Sequence, residues 1–307
     1  MSAPNDKRTM PWGGSFAIQD SEVIAVIKGT DYSECLWQDT VTKNFCNIYR
    51  DWISTTELNT VTGLDLFPHA VYSNGTSQAF ELFYIKNKNK RFRCYKGEYI
   101  YHQLAWRNNW PNWKFIEDDV LRTGDAVVIS LPFSDTGNMH ERMEWLLETC
   151  TILDIPVLVD CAYFGTCRDI DFDLTMSCIT DVVFSLSKAF PVAHARIGIR
   201  FSKVDDDDLM FVYDKINYNN RMGAHLGITL LESFGPDFIN IKYKNKQELC
   251  CRLLGVEPSN TVTFGIDTHQ RFNEYNRGSS TNRLGFYKYY TMTEKEIQEF
   301  IHASSNT

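Results

Sequence analysis

The chain has 307 residues, of which 43% are hydrophobic and 14% aromatic, and its formal net charge is −8. These values are typical of a globular protein with a sizeable core and exclude a disordered chain. The acidic balance argues against nucleic acid or an anionic membrane surface as a partner. With no stretch resembling a membrane span or secretion signal, and nine scattered cysteines without a C-x-x-C pair, we expect a soluble cytoplasmic protein with reduced cysteines.

Strand-like and helix-like segments alternate through the middle of the chain. The predicted strands are 71–72, 91–95, 126–131, 155–159, 182–184 and 197–201, and the predicted helices between them are 78–85 and 139–153. Such alternation predicts an α/β fold with a mostly parallel central sheet that helices flank on both faces.

A run of four aspartates, 205–208, marks a predicted domain boundary. We expect a solvated turn here rather than a metal site, because adjacent residues cannot all face one ion, and we predict no metal elsewhere. Beyond the run, the pattern predicts helices at 209–234 and 293–302 and strands at 261–266 and 283–290. We therefore predict a large domain over 55–204 and a smaller α/β domain from 1–54 and 205–307.

Polar side chains follow three of the predicted strands at the points where those strands end. Ser134, Asp160 and Lys188 each lie at or just past such an end. Ligands of parallel sheets bind beyond the carboxyl ends of the strands. The sequence therefore predicts one composite site at this edge of the sheet.

The segment 181–198 is the most informative part of the chain. Its apolar run, 182–184, ends in Ser185-Leu-Ser-Lys188, and Arg196 follows eight residues after the lysine. A lysine at the end of a buried strand is costly to desolvate unless it is neutralised, for example as an imine with an aldehyde cofactor. The alternative is a lysine that reaches solvent beside an unrelated surface arginine.

This pattern resembles the lysine motif of the class I/II aminotransferases, the fold-type I enzymes that use pyridoxal 5'-phosphate (PLP). The resemblance covers roughly residues 70–202, and the flanking regions match poorly. It implies that Lys188 forms the Schiff base with PLP and moves the substrate proton. It also implies that Ser185, Ser187 and Arg196 hold the phosphate, since a guanidinium fork suits that group.

A second motif of the resemblance is Asp160-Cys-Ala-Tyr163. The family places the aspartate at the pyridine nitrogen, which stays protonated, and the tyrosine at the ring hydroxyl. An aspartate that closes an apolar strand can also be an ordinary turn residue or helix cap.

The turn at 73–77 precedes a predicted helix and contains one glycine. By resemblance, Gly75, Thr76 and Ser77 bind the cofactor phosphate, for which the free N–H groups of a helix start are suited. Taken alone, such a turn is more often only a helix cap.

The family also has an aromatic side chain stacked on the cofactor ring. Alignment of the strand at 91–94 places Tyr99 in this position, with Tyr101 and His102 as close rivals. Aromatic residues are common in this chain, so the motif alone does not choose among the three.

The chain departs from the family at 131–137, Leu-Pro-Phe-Ser-Asp-Thr-Gly. Ser134 stands where the family has an asparagine that contacts the ring hydroxyl, and its reach is shorter. His194 lies between the lysine and the arginine, as a packed loop residue or as an extra acid–base group. For the substrate α-carboxylate the resemblance implies Arg283, with Arg277 as the alternative.

The resemblance implies an aminotransferase that moves an amino group between an amino acid and a 2-oxo acid. A PLP-dependent decarboxylase or lyase on the same scaffold is the first alternative, because these reactions share one electron sink. The second is a non-catalytic binding protein on a decayed scaffold, although the lysine, phosphate and ring-nitrogen positions hold competent residues. The resemblance also implies a homodimer.

Overall fold

A computed structural model of the chain describes residues 14–102, 113–205 and 207–304. Its strands are β1 (Thr60–Thr62), β2 (His69–Asn74), β3 (Arg91–Cys94), β4 (Lys114–Phe115), β5 (Asp125–Ser130), β6 (Val157–Cys161), β7 (Asp171–Asp173), β8 (Ile179–Ser185), β9 (Ile197–Ser202), β10 (Glu257–Pro258), β11 (Phe264–Asp267) and β12 (Asn282–Gly285). Its helices are α1 (Ser21–Gly29), α2 (Val41–Ser54), α3 (Thr76–Lys86), α4 (Met143–Ile152), α5 (Leu209–Lys215), α6 (Arg221–Ser233), α7 (Phe238–Leu254) and α8 (Glu294–Ser304).

The central sheet has seven strands in the order β2-β9-β8-β6-β5-β3-β4. Neighbours from β8 to β4 are parallel, whereas β9 is antiparallel to both β8 and β2. Because β2 and β8 both oppose β9, they run in the same direction. The predicted α/β fold with a mostly parallel sheet is therefore confirmed. Near the carboxyl end of the chain, β10, β11 and β12 form a small antiparallel sheet.

Alternating side chains of the central strands enter two different apolar clusters. One face of the sheet carries Val127, Ile129, Val157, Val159, Val182 and Phe184, and the other carries Ala126, Val128, Leu158 and Val183. Successive side chains of a strand point to opposite faces, and helices cover both here. This burial explains why β5, β6 and β8 are continuous apolar runs in the sequence.

Helix α2, at the amino-terminal end of the chain, packs directly on the central sheet. The Tyr49 ring lies 6.3 Å from that of Phe184, and the Phe45 ring lies 5.3 Å from that of Tyr72. The larger apolar cluster runs from Ile18 to Ile301. The core contains residues on both sides of positions 55 and 204, and the domain boundaries at these positions remain a prediction.

Two sequence predictions in the last third of the chain are wrong. The predicted helix 209–234 is two helices, because Asn217 takes a left-handed φ of 57° and Asn220 caps α6 by accepting a hydrogen bond from Gly223 N–H. The predicted strand 283–290 ends at Gly285. Beyond it the chain turns, since Tyr289 N–H donates to the Phe286 carbonyl at 2.8 Å.

Within the aspartate run, Asp205 and Asp207 are exposed to solvent, as predicted, and they also form ion pairs. Asp205 and Asp207 both pair with Lys215. Asp208 caps α5 and pairs with the buried Arg200. Within the described ranges, no group of three or more metal-ligating side chains occurs.

All nine cysteines are free and buried. None of the helices in the described part of the chain combines the length and the apolar character that crossing a membrane requires.

Candidate functional site

Five of the strands that run in the same direction through the central sheet end at one edge, and each is followed there by a residue of the predicted site. Because β2, β3, β5, β6 and β8 share one direction, their carboxyl ends meet there. The residues at or beyond these ends are Gly75, Tyr99, Ser134, Asp160 and Lys188.

Lys188 lies in the loop that follows β8, and its amine is drawn away from bulk water. Its Nζ donates a hydrogen bond to the Ser15 carbonyl at 2.8 Å. Burial lowers the pKa of Lys188, and the cations of Arg283 and Arg277 lower it further, whereas Tyr163 and Asp160 raise it. A lysine of this kind is a better nucleophile and base than an exposed one.

Asp160 ends β6 as a buried carboxyl with few partners. One oxygen accepts a hydrogen bond from Ala162 N–H at 3.1 Å. Burial, followed by the negative charge of Glu98, raises the pKa of Asp160 to about 8, although the charge of Lys188 acts in the opposite direction. This carboxyl therefore holds a proton near neutral pH and ionises readily only beside a cation.

Tyr163 lies three residues after Asp160 and contacts Arg283, which belongs to β12 of the small antiparallel sheet. Its hydroxyl accepts a hydrogen bond from Arg283 Nη1 at 3.2 Å. Burial raises the pKa of Tyr163, but the charges of Arg283, Lys188 and Arg277 outweigh it and lower the pKa below its usual value. A phenol so placed gives up its proton more easily than a free tyrosine does.

A cradle for an anion forms where β2 meets α3. Gly75 precedes the first turn of α3, which contains Thr76 and Ser77, and has a φ of 70° with a ψ of −179°. Arg196 Nη2 donates to Ser77 Oγ at 2.7 Å and to the Asn74 carbonyl at 3.1 Å. A Cβ on Gly75 would lie 2.4 Å from that nitrogen, so only glycine lets the guanidinium approach this close.

The two serines of the lysine motif lie beside this cradle. Ser185 and Ser73 both pair with Gly198 of β9, one from each side, which aligns the ends of three neighbouring strands. The Ser185 hydroxyl lies 2.9 Å from Ser187 Oγ. The cradle therefore combines a helix start, hydroxyls and one guanidinium, which is a suitable set of donors for a phosphate. His194 lies exposed nearby.

Of the three candidate aromatic rings, Tyr99 is the most exposed. Its charge interaction with Asp160 contributes, after burial, to a raised pKa of Tyr99. Tyr101 turns instead toward Glu81, to which its hydroxyl donates at 2.5 Å. His102 is fully buried with its Nδ1 2.5 Å from the Tyr84 hydroxyl, and burial lowers its pKa to about 3.

Both candidate arginines for a substrate carboxylate reach the same loop residue. The Ser134 carbonyl accepts hydrogen bonds from Arg283 Nη1 at 2.5 Å and from Arg277 Nη1 at 3.0 Å. The Arg283 guanidinium is buried and lies 4.4 Å from the Phe264 ring centre. Burial lowers the pKa of Arg283 to about 10, still well above neutral pH. The structure thus brings both arginines to the site.

Sequence reasoning missed two parts of the site. Glu98 is fully buried beside Asp160. Ser15, at the amino-terminal end of the described chain, contacts Lys188 with its carbonyl and Tyr163 with its side chain. Neither residue carries a local signal, since a single acid or serine outside a strand end is common in any chain.

Comparison with known proteins gives a clear result for structures and none for sequences. No protein-family model matches the chain, and no curated protein matches it. Aminotransferase AspB from Helicobacter pylori is 13% identical, with a TM-score of 0.65 over 96% of this chain and 93% of that one. An aromatic aminotransferase from Pyrococcus horikoshii is 12% identical, with a TM-score of 0.64 over 96% and 94%.

A PLP-bound C-S lyase from Staphylococcus hominis is similar to the same extent. It is 10% identical, with a TM-score of 0.63 over 98% of this chain and 88% of that one. The chain shares the fold of PLP-dependent transferases. At such identities the likeness extends to the fold alone, so the chemistry depends on the residues of the site.

Proposed function

We propose that the protein is a PLP-dependent enzyme of the fold-type I class, and that its reaction is transamination between an amino acid and a 2-oxo acid. The observation that carries the proposal is the convergence of three features at one sheet edge. They are the half-buried Lys188, the buried carboxyl of Asp160 and the anion cradle around Gly75 and Arg196.

The residues present fit the cofactor at each of its ends. The cradle of Gly75, Thr76, Ser77, Ser185, Ser187 and Arg196 would hold the phosphate. Asp160 would bind the ring nitrogen, and Tyr163 and Ser134 would contact the ring hydroxyl. Tyr99 is the proposed stacking ring. When bound there, PLP supplies an aldehyde that condenses with amines and a ring that withdraws electrons from the substrate Cα.

With PLP bound, side chains of this protein would carry out the proton transfers and bind the substrate. The Lys188 amine, whose pKa burial lowers, would remove the proton from the substrate Cα and deliver it to C4′ of the cofactor, as transamination requires. Asp160 keeps a proton at the ring nitrogen. Arg283 holds the α-carboxylate, and Arg277, on the same carbonyl of Ser134, holds or orients a second polar group of the substrate.

A lyase or decarboxylase is the second candidate, since a C-S lyase has a similar fold. Its reaction would use the same lysine, carboxyl and cradle and would differ in which bond at Cα is cleaved. We further propose that the protein is a cytoplasmic homodimer that takes small-molecule substrates.

The cofactor is tested by visible absorption after purified protein is mixed with PLP and unbound PLP is removed by gel filtration. We expect a band beyond the protein's own ultraviolet absorption, and we expect Lys188→Ala to lose it because the covalent attachment is gone. Lys203→Ala is the matched control, since Lys203 is a partly buried lysine that donates to the Met176 carbonyl away from the site. A wild-type protein without the band would overturn the proposal.

The reaction is tested by supplying amino acids with and without a 2-oxo acid acceptor. Transamination requires the acceptor for turnover and releases a new 2-oxo acid. Release of carbon dioxide or of a thiol without an acceptor would establish the second candidate instead.

A further inference from the structure

Glu98 is a fully buried carboxylate that three donors hold in the loop after β3. Ser130 N–H donates to its Oε1 at 2.6 Å, and Tyr99 N–H donates to its Oε2 at 2.8 Å. The Ser130 hydroxyl also donates to Oε2. Burial raises the pKa of Glu98, whereas the hydrogen bonds from Ser130 and Tyr99 act in the opposite direction and favour the charged form.

Through Ser130, Glu98 is tied to the strand that carries Asp160. Ser130 of β5 pairs in register with Asp160 of β6, and Leu131 N–H donates to the Asp160 carbonyl at 2.9 Å. The negative charge of Glu98 acts on the Asp160 carboxyl, and it is the largest influence on that group's pKa after burial. Ser130 therefore lies between the two carboxyl groups, bonded to Glu98 and paired in the sheet with Asp160.

Glu98 also contacts Tyr99, the proposed stacking ring, and Arg277, one of the two candidate arginines for the substrate. Its carboxylate binds the N–H of Tyr99, and its carbonyl accepts a hydrogen bond from Arg277 Nη2 at 3.3 Å. The preceding residue, Gly97, has a φ of 86° and packs on Asp135, where a Cβ would lie only 2.8 Å from the aspartate Cβ. The loop at Gly97 therefore cannot shift without displacing the residues that pack on it.

We infer that Glu98 is a positioning residue that makes the site selective for a ring carrying a positive charge at its nitrogen. It fixes Tyr99 against the end of β5 and adds a second negative charge beside Asp160. A protonated pyridine ring gains from both carboxylates, whereas a neutral ring of the same shape gains only from packing. This inference rests on the proposed function.

The test compares two compounds that differ at one ring atom. They are PLP and its 1-deaza analogue, in which a C–H group replaces the ring nitrogen while phosphate and aldehyde remain. Affinity is measured on the full-length protein without cofactor by quenching of tryptophan fluorescence. We expect Glu98→Gln to weaken binding of PLP about tenfold, the equivalent of one pKa unit, and to leave the affinity for the analogue unchanged.

Two further variants complete the design. Glu98→Met also removes the charge, keeps a similar length and places no N–H against the donors of Ser130 and Tyr99, so it serves if Glu98→Gln does not fold. Glu117→Gln is the control, because Glu117 is exposed and binds the same loop through Lys96 N–H at 3.0 Å. The control should keep the wild-type preference for PLP.

Each outcome distinguishes the inference from the proposed function. A wild-type protein that binds neither compound overturns both. Wild-type binding of PLP with unchanged affinities in the charge-free variants overturns the inference alone. Equal losses for both compounds show a role in folding only and overturn it as well.

Discussion

At the scale of single residues, burial without full pairing gives the site its chemical character. Asp160 has only one backbone donor, and the proximity of Glu98 makes its ionised form less favourable still. The pKa of Lys188 is lowered, because burial penalises its charge, and this favours the neutral amine. Perturbed groups that face each other in this way are typical of functional sites.

Asp160 predicts how the stability of the cofactor-free protein depends on pH. Its pKa in the folded protein, about 8, lies above the value of 3.8 for a free side chain, so the folded state binds the proton more tightly. The contribution of this group to the free energy of unfolding therefore falls as pH rises from about 4 through about 8. We expect Asp160→Asn to be more stable than wild type at pH 8, by on the order of 2 kcal/mol, and this advantage to shrink at pH 5.

Urea unfolding at several pH values measures this difference. The exposed Asp51→Asn variant is the control, and its difference from wild type should not change with pH. An advantage of Asp160→Asn that is constant across the range, or larger at pH 5, would contradict the prediction.

At the scale of elements, the anion cradle exists because three chain segments approach one another without side chains between them. Gly75 and Gly198 make this approach possible, since a Cβ on Gly198 would lie 3.1 Å from the Cα of Gly75. Arg196 takes a left-handed φ of 56° to bring its guanidinium over the turn. Backbone strain of this kind is concentrated at functional sites.

Gly75→Ala should damage both the cradle and the fold. The φ and ψ of Gly75 belong to a region that glycine alone adopts readily, and the added methyl group would displace Arg196. We expect the free energy of unfolding to fall by about 1–3 kcal/mol and the affinity for PLP to fall with it. Chemical unfolding and fluorescence titration measure the two effects.

Gly235→Ala is the matched control, because nothing lies within 4 Å of the Cβ it would add. Should Gly75→Ala retain wild-type affinity for PLP, the cradle would not be the phosphate site.

At the scale of the whole molecule, one apolar core connects the central sheet to both ends of the chain. Side-chain hydrogen bonds strengthen that connection. Trp52 Nε1 donates to the Phe234 carbonyl at 2.7 Å. Asp237, just before α7, accepts hydrogen bonds from Thr56 Oγ1 at 2.7 Å and Glu57 N–H at 2.6 Å.

These contacts predict one cooperative unfolding transition rather than two. Thermal unfolding followed by near-ultraviolet and by far-ultraviolet circular dichroism should give the same midpoint. Asp237→Ala should lower the free energy of unfolding by about 1–3 kcal/mol, because it removes the acceptor of the hydrogen bonds from Thr56 and Glu57. Two separated transitions would indicate that the predicted large and small domains unfold independently.

The local pattern of residues was sufficient for the strands of the central sheet and for the residues at their ends. Apolar runs at β5, β6 and β8 are continuous because both faces of the sheet are covered, so their sequence signal is strong. The residues that follow these runs, Asp160 and Lys188, were found for the same reason. The signal failed at 286–290, where buried aromatic residues line a turn rather than a strand.

The tertiary structure alone decided which distant residues complete the site. Ser15 and Glu98 reach Lys188 and Asp160 from segments far from them along the chain. It also placed Arg277 and Arg283 together on one carbonyl. Periodicity reports which face of an element is buried, whereas convergence of side chains depends on how the strands and loops pack, and no local pattern records that.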